Sequence, residues 1–194
     1  DKEDSEYGTK MARLLAHAKE RGIKTSIDVV SETGERFGRL VPPALRYTDY
    51  CIINEIEASR STGIQLRAED GALIYENVKK VLSKLFELGV SEWAVIHSPE
   101  GGFGMDKDGA YAECGLVYTP SGFIKGKVGA GDAFCAGVLS AAHRGLSLLD
   151  AVKLGNAAAT VSLRSPGATE AMETIEETMR ICSELGFEPV KLNK

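Results

Sequence analysis

Short apolar runs alternate along this chain with longer stretches of helical spacing, and that alternation limits its fold more than any other feature. Tyr47 to Ile53 is a mostly apolar run, Trp93 to His97 is another, and helix-length segments lie between them. A strand that is apolar along its length has both faces covered, as in a parallel sheet flanked by helices. Asn54 to Thr62 reads as a helix stopped by Gly63, and Ala72 to Leu88 as a helix with Val78, Val81, Leu82, Leu85 and Phe86 on one face, ended by Gly89. Upstream, Met11, Leu14, Leu15 and Ala18 give Tyr7 to Arg21 an amphipathic helical period, with Gly22 as its closing glycine. A β-rich run from Ile23 to Val30, ending in Asp28 and its neighbours, leads to a connector containing Gly34, Gly38 and Pro42-Pro43.

The second half continues the pattern. Gly101 to Gly109 reads as a β-hairpin turning at Asp108-Gly109, with Tyr111 to Tyr118 returning along it. Leu148 to Leu163 and Thr169 to Leu185 are helices separated by Ser165-Pro166-Gly167. The expectation is a single α/β domain over residues 1–194 with a mostly parallel sheet. In such sheets ligands sit beyond the carboxyl ends of strands. Asp28, Asn54, Ser98 and the turn at Gly129 all follow strands directly, so they are expected to converge on one crevice.

Composition narrows the partners. The net charge of −5 argues against a broad nucleic-acid surface. No apolar run approaches the roughly 20 residues that span a bilayer, and the charged start Asp1-Lys2-Glu3-Asp4 has no signal-peptide core. Cys51, Cys114, Cys135 and Cys182 lie far apart with no C-x-x-C pair, which reads as free thiols in a reducing cytoplasm and not as zinc ligands.

The most informative stretch for chemistry is Val128-Gly129-Ala130-Gly131-Asp132-Ala133-Phe134-Cys135-Ala136-Gly137. Gly129, Ala130 and Gly131 carry nothing larger than a methyl group, and an apolar helical pattern follows. A tight turn entering a helix presents unpaired N–H groups and a partial positive charge, a setting suited to phosphate. Asp132 would repel that phosphate unless it takes a proton from a hydroxyl attacking it. Ordinary helix capping is the alternative reading of the same residues. Asn54 and Glu57, three apart at another helix start, offer hard oxygen ligands for Mg²⁺ or its water shell. The same pair also fits a capping box.

In order, Asp28, Asn54-x-x-Glu57, Gly101-Gly102, Gly129-Ala130-Gly131-Asp132 and Asn156-Ala157-Ala158-Ala159 resemble the PfkB/ribokinase-like carbohydrate kinases. The resemblance implies ATP-dependent phosphoryl transfer to a hydroxyl of a small sugar-like substrate. It assigns Asp132 as general base, the amides of Gly129, Ala130 and Gly131 as anion hole, and Asn54 with Glu57 to the Mg²⁺–phosphate assembly. Ser98, Gly101 and Asn156 match positions flanking the nucleotide, and Lys127 is a candidate for a phosphate-directed charge. The family usually has Asp-Thr where this chain has Gly126-Lys127, and a glycine where it has Ser98. The implied fold is a three-layer ribokinase-like α/β sheet with a hairpin, of which this chain is the C-terminal part, the N-terminal strands and β lid being absent. A nucleoside or vitamin-precursor kinase and a non-catalytic nucleotide-binding module remain alternatives. A homodimer is left open.

Overall fold

The computed structural model describes residues 1–29 and 37–190. They form β1 (Glu3–Asp4), β2 (Gly8–Thr9), α1 (Lys10–Glu20), β3 (Ser26–Ile27), α2 (Phe37–Leu40), α3 (Pro42–Leu45), β4 (Tyr50–Asn54), α4 (Glu55–Thr62), α5 (Val78–Glu87), β5 (Trp93–Ser98), β6 (Gly101–Asp106), β7 (Tyr111–Gly115), α6 (Ala130–His143), α7 (Leu148–Ser162) and α8 (Ile175–Leu185). Five strands pair in the order β3-β4-β5-β6-β7. β3 runs parallel to β4, with Ser26 opposite Tyr50 and Ile27 opposite Cys51. The path from β4 to β5 passes through α4 and α5, the helical crossover that parallel neighbours need, whereas the links from β5 to β6 and β6 to β7 are short reversals. The α/β class, the parallel section and the hairpin are those expected from the sequence. The described residues divide into two compact units, Asp1–Ile96 with Met105–Tyr111, and His97–Gly104 with Ala112–Lys194.

In the first unit β4 behaves as a strand covered on both faces: Cys51, Ile52 and Ile53 are fully buried. The predicted face of α5 is also buried at Val78, Val81, Leu82 and Leu85, each of which contributes about 1.5–3 kcal/mol on leaving water. That helix starts later than Ala72, after a 3₁₀ turn at Tyr75–Asn77. α1 starts at Lys10 and not Tyr7, because Thr9 Oγ1 accepts the Ala12 N–H at 3.1 Å and caps it there. The residues before it are drawn into the β1–β2 hairpin, in which Glu3 faces Thr9. The strand expected from Ile23 to Val30 is two residues long, and Val30 and Gly34 lie outside the described residues. Asp49 ties this unit together. Its carboxylate accepts from Lys19 Nζ at 2.9 Å, the Thr25 N–H at 2.8 Å and the Ser91 hydroxyl at 2.9 Å.

The second unit is built on α6 and α7, which approach at glycine. A Cβ on Gly137 would lie 2.7 Å from the Leu154 carbonyl oxygen, and one on Gly155 would lie 2.9 Å from Phe134 and Val138. Below α7, Ala157, Val161, Val117 and Cys182 form a buried cluster covered by Met179, Ile181, Leu185 and Phe187. α8 begins at Ile175 and not Thr169, since the Thr174 hydroxyl accepts the Glu177 N–H at 3.2 Å. Among the described residues no helix is long and apolar enough to cross a membrane.

Candidate active site

The site grows from the turn that starts α6. Gly129 has φ +79°, and a Cβ there would lie 2.6 Å from the Ala168 Cβ, so both conformation and space exclude a side chain. No side chain caps this helix. Its first i→i−4 bond joins the Ala133 N–H to the Gly129 carbonyl at 2.8 Å, so the amides of Gly131 and Asp132 precede the intrahelical ladder. The Ala130 amide bends back to the Lys127 carbonyl in a long 3.4 Å contact. Asp132 stands exposed in the first turn, where the helix dipole favours a negative group by about 0.3–1 kcal/mol. Lys127 is exposed on the approach to the turn. Gly126 has a packing reason of its own: a Cβ there would sit 2.7 Å from the Pro166 Cα, so the aspartate usual in the resembled family has no room.

Beside the turn lies a cavity of about 230 Å³. Its walls include Ala130 and Gly131 from the turn, Ser98 and Asn156, and apolar groups such as Ile124 and Leu163. That volume is below the roughly 300–1,000 Å³ of pockets enclosing whole drug-sized ligands, so it suits one flat moiety of a larger molecule. Four of the sequence candidates (Ala130, Gly131, Ser98 and Asn156) therefore share one wall system. Gly101 stays just outside it. There φ is +154° and a Cβ would collide with the Cys114 carbonyl oxygen at 2.5 Å.

Two of these residues have structural work as well. Asn156 is 3% exposed, and its Nδ2 donates to the carbonyls of Cys114 and Gly115, both at 2.9 Å. It pins the end of β7 to α7, and the separation in sequence hides that job. Ser98 closes the turn between β5 and β6: its hydroxyl donates to the Gly101 carbonyl at 3.4 Å and accepts the Glu100 N–H at 3.2 Å.

His97 lines the cavity; from sequence it reads as a buried strand-end histidine, with contact to the nucleotide pocket as the second reading. Its ring packs on Phe134 at 4.9 Å between centroids, tilted by 37°. Burial lowers its pKa from the usual 6.5 to about 4, with the nearby Asp132 charge opposing that shift, so the ring is neutral at pH 7. Strand periodicity could place His97 on one face of β5, but not show what that face meets.

Asn54 and Glu57 belong to the first unit, as does the exposed Asp28. The capping box is present. Asn54 Oδ1 accepts the N–H groups of Ile56 at 3.0 Å and Glu57 at 2.9 Å, and Glu57 Oε2 accepts the Asn54 N–H at 3.0 Å. Beside it Glu55 is paired with Arg67 at 2.7 Å. Among the described residues no group of three or more His, Cys, Asp or Glu forms a ready metal cage. One carboxylate and one amide fit only a cation that brings most of its own ligands as water and phosphate, the habit of Mg²⁺.

A family model described as pfkB family carbohydrate kinase matches residues 4–175. The chain is 38% identical over 81 residues to a 2-dehydro-3-deoxygluconokinase of Bacillus subtilis, an overlap of 38% of this chain and 24% of that protein. Its fold matches a putative sugar kinase from Clostridium perfringens with a TM-score of 0.74 at 19% identity, over 92% of this chain and 52% of that one. It matches Arabidopsis thaliana ribokinase, solved with ribose and ATP, with a TM-score of 0.71 at 20% identity, over 89% and 51%. A 2-dehydro-3-deoxygluconokinase from Thermotoga maritima gives 0.70 at 20% identity, over 88% and 54%. The chain thus spans about a quarter of the curated relative and about half of each of these solved ones. With the family model running through the α6 turn and on to the start of α8, the chain belongs to the pfkB family of carbohydrate kinases.

Proposed function

We propose that this chain carries the nucleotide-binding and catalytic part of an ATP-dependent kinase that phosphorylates a hydroxyl of a sugar or sugar-like small molecule. The observation that carries the reading is the uncapped, glycine-built start of α6, with Asp132 in its first turn and a cavity alongside. The flat base of ATP enters that cavity between Ile124 and Leu163, and its phosphates run toward the amides of the Gly129–Gly131 turn.

Asp132 takes the proton of the acceptor hydroxyl as that oxygen attacks the γ-phosphorus. The bond to the bridging oxygen breaks and ADP leaves. Phosphoryl transfer of this kind asks the protein for alignment and charge stabilisation more than for covalent chemistry. The turn amides supply donors fixed by the fold before the phosphate arrives. Asn54 and Glu57 would hold Mg²⁺ through water, and the ion when bound would offset phosphate charge. Ribose and 2-dehydro-3-deoxygluconate, the compounds in the relatives' names, are the acceptors to assay first.

Asp132→Asn tests the base. We expect MgATP affinity to hold while kcat falls about 10²–10⁴-fold, the usual contribution of a positioned general base. Wild-type turnover by the Asn variant would remove Asp132 from the chemistry.

A further inference from the structure

We propose that His97 is a phosphate-positioning residue: its Cε1–Nε2 edge faces the α6 turn, and Nε2–H donates to a phosphate oxygen held there. The inference rests on the kinase reading above and goes beyond it by adding a side-chain donor to the backbone amides.

Three observations carry it. The first is aim. A Cβ built on Gly131 would lie 3.3 Å from His97 Cε1 and 3.7 Å from Nε2, so this edge of the ring looks at the residue whose amide precedes the helical ladder. Glycine at 131 makes room for the ring as well as for a ligand. The second is fixation. The ring is packed on Phe134, itself 2% exposed, which holds its plane in place. The third is availability. His97 is the one titratable side chain lining the cavity, and among the described residues no hydrogen bond to its ring nitrogens is made by the protein.

The charge state suits the role. Burial keeps the imidazole neutral at pH 7, so it carries one N–H donor and one acceptor nitrogen. A neutral donor can hold a phosphate oxygen without forming an ion pair with Asp132, which must stay available to the acceptor hydroxyl. A permanently charged lysine in the same place would bind Asp132 as well as phosphate.

The experiment compares ligands with and without phosphate. Binding of MgATP, magnesium tripolyphosphate and adenosine is measured by calorimetry on the full chain and on His97→Leu and His97→Gln, with melting temperatures taken in the absence of ligand. We expect His97→Leu to weaken MgATP and tripolyphosphate by about tenfold or more, as loss of a hydrogen bond to a charged group does, while adenosine is unaffected. His97→Gln, whose amide nitrogen overlays Nε2, should recover most of the loss. Equal weakening of adenosine and ATP would reduce His97 to a piece of cavity wall and overturn the inference, as would unchanged ATP binding by the Leu variant. A wild-type chain that binds neither MgATP nor tripolyphosphate overturns the kinase reading and this inference with it. Should the Leu variant fail to fold, the ¹⁵N resonance of Nε2 in the wild-type chain decides. It moves when tripolyphosphate is added if the inference holds, and stays still if not.

Discussion

Two helix starts in this chain are built in opposite ways. α4 is closed by its own side chains: Asn54 and Glu57 exchange three hydrogen bonds with the first amides. α6 starts from a left-handed glycine with no side-chain cap, beside a cavity with a neutral histidine on its wall. The same split runs through the titratable side chains. In the first unit Asp49 is met by Lys19, Thr25 and Ser91, and Glu55 by Arg67. In the second, His97 is kept neutral by burial and faces the turn. A helix end satisfied from within is finished as a piece of architecture, whereas one left open in a fixed geometry is ready for an anion.

The largest expected effect comes from closing the open end. Gly129→Ala adds a Cβ at positive φ and drives it onto Ala168, and each effect is of order 1–3 kcal/mol. Urea unfolding should show a loss of about 3 kcal/mol, and MgATP binding should vanish. Adding Ala168→Gly should recover the part due to collision but not the part due to backbone strain. If Gly129→Ala is neutral, the two starts do not differ in the way described.

Acid should separate the two units. The His97 pKa is lowered in the folded chain, so the unfolded chain takes up a proton first, and stability is lost as pH falls from about 6.5 to about 4. For Asp49, burial opposes ionisation but hydrogen bonds from Lys19, Thr25 and Ser91 outweigh it and hold the pKa near 2, against 3.8 ordinarily. Its stabilisation is therefore present above pH 3.8 and is lost as pH falls toward 2, amounting to roughly 2 kcal/mol at most. Denaturant midpoints measured across pH should lose the upper step in His97→Leu and the lower step in Asp49→Asn. A single step that survives both changes would contradict the assignment.

The smallest effect is at the closed end. Asn54→Ala removes a cap and should cost about 1 kcal/mol without magnesium present. If the pair also holds the water shell of Mg²⁺, the same variant needs more magnesium for tight ATP binding, read by titrating Mg²⁺ at fixed ATP. A stability loss with unchanged magnesium dependence makes Asn54 a cap and nothing more.

Legibility in the sequence followed the range of the interactions. The helix stops at Gly22 and Gly63, the buried strand Cys51–Ile53, the capping pair at Asn54 and Glu57, and the turn at Gly129 all depend on near neighbours, and each could be read directly. The β1–β2 hairpin could not, because two-residue strands carry no period, and the amphipathic pattern beginning at Tyr7 masked the cap at Thr9. Thr174 was likewise hidden behind Thr169, an equally suitable helix start. The anchoring of Cys114 and Gly115 by Asn156, and the orientation of His97 toward Gly131, depend on tertiary partners that periodicity does not name. Gly129 serves a backbone angle and Gly137 a helix crossing, and only contacts distinguish them.

That crossing has a mechanical consequence. With Gly137 against the Leu154 carbonyl and Gly155 against Phe134, α6 and α7 touch almost backbone to backbone and leave little room to slide. The amides at the head of α6 are thus mounted on a stiff pair of rods, and their aim depends on α7 as much as on the turn. Warming that loosens α7 should blur the aim of those amides before the chain melts, so nucleotide affinity would fade at a temperature set by a helix that never touches phosphate.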